Sequence, residues 1–171
     1  MFKKLIVTLS ILIIVLAACA PKSTPAPSTG SGTFDVNKFT GAYSGTWTNE
    51  KTSASGDVTI TIVADEATRT ATITLDFGGN FLGLGDPPAA SVTATYDDHA
   101  AYVQGNNVFL GEMDITIDAD GNINGLVKNL GGGAIPSVTY TGKIGDGRMD
   151  ADYLVTFKDG STATALLRTS K

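Results

Sequence analysis

The chain holds one cysteine, Cys19, and one histidine, His99, in 171 residues. A lone thiol cannot close an internal disulfide, so no covalent staple supports the fold. Zinc sites draw mainly on cysteine and histidine, and one here would have to combine a single histidine with carboxylates alone. Nucleophilic catalysis finds as little material. Cys19 sits at the end of an N-terminal apolar run, and no serine lies in the Gly-x-Ser-x-Gly turn that exposes a nucleophile. His99, beside Asp97 and Asp98, reads as a turn residue. The sequence is therefore read as a non-enzyme with no cofactor and no metal.

Basic residues are scarce as well, 12 Lys and Arg against 17 Asp and Glu, for a net charge of −5. That balance argues against nucleic acid and against docking on anionic lipid through a basic patch, since both need clustered cations. Long apolar runs are missing too. The one continuous stretch, Leu5 to Leu16, is broken by Thr8 and Ser10 and falls short of the roughly 20 residues a membrane-spanning helix needs.

What is present at the N-terminus is an address. Lys3 and Lys4, the apolar run and the small residues Ala17 and Ala18 have the layout of a secretory signal, assigned to residues 1–18. Leu16-Ala17-Ala18-Cys19 resembles the lipobox of bacterial lipoproteins. The resemblance implies that Cys19 receives a diacylglycerol, with acyl chains of the palmitate type, and becomes the first residue after cleavage. Two acyl chains hold a protein on a membrane where one is marginal. Residues 19–33, with Pro21, Pro25 and Pro27 among Ser, Thr and Gly, then form a solvated tether. The expected location is the cell envelope, lipid-anchored on the extracytoplasmic side. Ala20, where an aspartate would favour inner-membrane retention, favours the outer membrane if the cell has two.

Residues 34–171 suffice for one domain with a real core. Glycine is plentiful, and short β-rich runs alternate apolar and polar side chains. Val58, Ile60 and Ile62 alternate with threonines; Ala71, Ile73, Leu75 and Phe77 alternate with Thr72, Thr74 and Asp76. The same holds for Met113 to Asp118 and for Met149 to Phe157. Such a strand has one buried and one wet face. Strands are expected over 43–48, 57–63, 69–77, 91–96, 101–104 with 108–110, 112–118, 123–128, 138–144, 148–157 and 161–169, and a helical turn over 35–39. An antiparallel up-and-down β-barrel of about eight to ten strands removes exposed edges; a β-sandwich is the alternative.

Three further features carry expectations. "ITIVAD" at 60–65 and "ITIDAD" at 115–120 form an internal echo, each leading through a second strand to a Gly-rich loop. Those loops carry Phe81, Leu82, Leu84, Ala134 and Ile135, which would plug one end of the barrel or line a pocket mouth. "DADGNING" at 118–125 offers oxygens at alternate positions, but Ile123 and Asn129 stand where an EF-hand needs glycine and glutamate, so it reads as a hairpin turn.

"FDVNKFTGAYSGTW" at 34–47 resembles the opening of lipocalins, where a helical turn leads into a strand carrying Gly-x-Trp. Gly45-Thr46-Trp47 supplies the triplet, although Gly41-Ala42-Tyr43 occupies its usual place. Asp152-Tyr153 resembles the second motif and Arg168 the arginine of the third. The resemblance implies that Arg168 stacks across Trp47 to close the narrow end, with Tyr153 a nearby structural residue. Barrels of this size can hold one small ligand, so binding of a small apolar molecule is the leading expectation. Small inward residues, Ala71, Ala94, Ala151, Gly142 and Ala163, would leave it room. The rival is an envelope interaction protein with a packed interior.

Overall fold

Alternating segments of this kind cannot each bury an apolar face alone, and here they do so by closing on one another. The computed structural model describes residues 32–171; Cys19, the segment 1–18 and the tether up to residue 31 lie outside the described residues. Ten strands follow in order: β1 (Gly41–Asn49), β2 (Ala54–Asp65), β3 (Thr70–Phe77), β4 (Ala90–Tyr96), β5 (Ala100–Asn107), β6 (Gly111–Asp118), β7 (Asn122–Asn129), β8 (Ile135–Gly145), β9 (Arg148–Thr156) and β10 (Thr162–Ser170). Each pairs antiparallel with its sequence neighbours, and β10 returns to β1, so the sheet is a closed up-and-down barrel. Closure rules out the sandwich.

Inward positions form the core: Tyr43, Trp47, Ile60, Val138, Val155 and Leu167 are almost wholly buried. Outward positions include Thr59, Thr72, Asp76, Asp114 and Asp152, all exposed. This is the reverse of a membrane-spanning barrel, whose outer band is apolar.

Short side chains set many of the turns. A carboxylate or amide oxygen accepts the backbone N–H groups two and three or four residues on, which fixes the bend locally. Asp65, Asp97, Asn107 and Asn49 do this at four hairpins. Asn107 explains one departure from expectation: residues 108–110 form a turn rather than strand, and Val108 is fully exposed. At 118–122, Asp118 accepts Asp120 N–H, Asn122 N–H and the Asn122 amide. The Asp118 oxygens of "DADGN" thus serve a hairpin turn.

At the proximal end, where the chain joins the barrel, a 3₁₀ turn (Val36–Lys38) is capped by Asp35. Phe34, Val36 and Phe39 are buried there. Phe34 packs on Phe39 and Tyr96, and the Tyr43 hydroxyl donates to Phe39 O at 2.8 Å. At the distal end the two Gly-rich loops fold inward. Asn129, Gly131, Gly132 and Gly133 all have positive φ, which accounts for a run of three glycines.

One seam differs from the rest. β4 and β5 pair only at Thr95↔Tyr102 and Tyr96↔Ala101, at the proximal end, whereas β3 and β4 pair from Thr70↔Thr95 to Leu75↔Ala90.

Candidate functional site

Inside the barrel, β2 to β9 enclose a cavity of about 90 Å³, roofed by Phe81, Leu110 and Leu130 from three distal loops. One water needs roughly 10–15 Å³ on that scale, so the space takes a group of several heavy atoms. The Gly-rich loops therefore act as the plug, and the cavity lies beneath it. Phe81 stacks on Phe77 at 4.1 Å and meets Trp47 edge-on at 5.2 Å. Leu82 and Ile135 are buried, while Ala134 is exposed. The loops are keyed together: a Cβ on Gly131 would fall 2.8 Å from the Leu84 methyls.

The lining is almost entirely hydrocarbon and thioether. Of its eighteen residues, only Tyr140 and Tyr153 carry a side-chain oxygen or nitrogen, and none is charged. Alternation along β8 and β9 turns both tyrosines inward, and the register sets them opposite each other, Tyr140↔Tyr153. Their rings meet at 4.6 Å with an interplanar angle of 60°. Neither hydroxyl has a hydrogen-bond partner among the described residues. Burial pushes the ionisation of both far above the ordinary tyrosine range; for Tyr153 the neighbouring Tyr140 adds to it. Both hydroxyls therefore remain protonated donors at any physiological pH. The two hydroxyls are therefore the only side-chain oxygen or nitrogen groups of the cavity, left to bond with whatever occupies it.

The small inward residues make less room than expected. Only Ala151 lines the cavity. Ala71, Ala94 and Ala163 are buried against neighbours, and a Cβ on Gly142 would lie 2.4 Å from Asp150 O and 2.8 Å from Ala151. That glycine lets β8 and β9 approach.

The expected stack of Arg168 on Trp47 is not formed. In the β1–β10 register Trp47 lies opposite Leu167, and both point inward; Arg168 lies opposite Thr46 and points out. Its guanidinium donates to Ala151 O, Leu167 O and the Asp152 carboxylate, the last at 2.7 Å. Trp47 belongs instead to the distal end, donating to Gly78 O at 3.0 Å. The cation over a ring at the proximal end is Lys171, 5.1 Å from the centre of Tyr43 in the Gly41-Ala42-Tyr43 triplet. Tyr153, expected as a structural residue, lines the cavity, and sequence reasoning missed its partner Tyr140. His99 is exposed in the β4–β5 turn, its N–H donating to Asp97. That bond, together with the one from Ala100 N–H, holds the Asp97 carboxyl below its ordinary range. Among the described residues no cluster of three or more His, Cys, Asp or Glu is placed to hold a metal ion. Compared with protein families, characterised proteins and solved structures, the chain gives no match.

Proposed function

We propose that this chain is a lipid-anchored envelope lipoprotein whose barrel binds one small, mostly apolar molecule without transforming it. The observation that carries the reading is the uncharged, hydrocarbon-lined cavity within a wall that is polar outside. Close packing is the norm for protein interiors, and an apolar cavity with a few convergent polar groups is the default place for a ligand. The rival, an interaction protein with a full interior, has less support because the interior is not full. The anchor at Cys19 rests on the N-terminal sequence alone.

Native mass spectrometry of protein purified from cells tests the binder. An apolar mass should accompany the protein and be lost in Ala151→Leu, which extends a side chain into the cavity. The absence of any bound mass, together with no rise in melting temperature on adding octanol, would sink it. For the anchor, Cys19→Ser should prevent incorporation of labelled palmitate; undiminished labelling would refute acylation at that residue.

A further inference from the structure

We propose that the cavity selects an uncharged, hydrocarbon-rich molecule bearing an oxygen acceptor, and that the Tyr140 and Tyr153 hydroxyls are the donors that recognise it. The inference rests on the barrel being a binder and adds the chemical class of what is bound.

Two observations converge on it. The first is placement. Tyr153 is 3% exposed and its cross-strand neighbour Tyr140 is half-buried, and their hydroxyls lack protein partners in a space otherwise lined by hydrocarbon and sulfur. A hydroxyl in a hydrocarbon-lined space bonds to whatever enters it, so two donors lining one cavity favour an occupant that carries an acceptor. The second is the charge inventory. No Lys, Arg or His lines the cavity. The cation just behind the Tyr153 wall, Arg168, is outside the barrel and already held by Asp152 and two backbone carbonyls. An ionised carboxylate or phosphate would therefore be buried with two neutral donors and no counter-charge, which is unfavourable. An alcohol, ketone or ester meets no such penalty.

The rise in melting temperature of the purified protein on titration with octanol, octanoate and octane tests the idea, the three sharing one chain length. At about pH 8, where octanoate is ionised, octanol should bind at least roughly tenfold more tightly than octanoate. The gap should close near about pH 4, where much of the acid is neutral. Tyr140→Phe and Tyr153→Phe should each weaken octanol roughly fivefold while leaving octane unaffected. The double variant should bind octanol no better than octane. Octanoate equal to octanol at the higher pH, or an octanol preference that survives the double variant, would overturn the tyrosine assignment while leaving the binder intact. Failure of all three compounds to bind would overturn both.

Discussion

Raising the pH should loosen the barrel through the two interior tyrosines in a way that two substitutions remove. In the unfolded chain tyrosine ionises near pH 10; in the folded barrel burial raises Tyr140 and Tyr153 well beyond that. Below about pH 10 both states hold their protons and the pair contributes fully to stability. Above it the unfolded chain releases protons that the native barrel keeps. Each tyrosine then costs about 1.4 kcal/mol of stability per pH unit, about 2.8 for the pair. Urea unfolding measured at steps from about pH 9 to 11 gives the slope, and the difference between wild type and Tyr140→Phe/Tyr153→Phe cancels contributions from every other group. Before unfolding, ultraviolet absorbance should count as many titrating tyrosines in the double variant as in wild type, because the two removed do not titrate in the folded barrel. Parallel pH curves for wild type and double variant would refute the reasoning, because they would mean that both hydroxyls ionise as freely in the barrel as in the unfolded chain.

Three other substitutions or measurements bear on the frame. Gly56→Ala places a Cβ 2.1 Å from Gly78 O and 2.6 Å from Trp47 Nε1; it should cost about 2–4 kcal/mol in urea unfolding and red-shift the emission of the single tryptophan. Asp118→Ala removes the acceptor of three hydrogen bonds at a buried turn and should cost about 2–3 kcal/mol, whereas added calcium should leave the wild-type melting temperature unchanged. A calcium-dependent rise would show that the turn takes metal after all. Amide exchange should be faster along Ala90–Ala94 than in β8 or β9, because β4 lacks a partner strand over that stretch on its β5 side; uniform protection across these strands would contradict the seam.

The barrel was legible because its strands keep a strict period of two, and the short Asx-type turns between them are equally local. The segment 108–110 was misread because Val, Phe and Leu look like strand, whereas the Asn107 side chain bends the chain there. Functional geometry was harder to see. Whether Arg168 shares a face with Trp47 depends on the offset between the first and last strands, which no local pattern encodes. Tyr140 could have been found as an inward position between Val138 and Ile144. Its meeting with Tyr153 needed the β8–β9 register.

The short β4–β5 seam has a consequence for how contents would be exchanged. The distal plug is held by interlocking of two loops, Leu84 over Gly131, and by the stacked rings of Phe77, Phe81 and Trp47. Lifting it would expose several buried aromatics at once. Parting the wall beside Val92 and Val103, which both line the cavity, needs little more than the spreading of strands that are already unpaired there. Turnover of a bound molecule would then be limited by sideways breathing of the sheet, and stiffening the loops would change affinity far more than the rate of exchange.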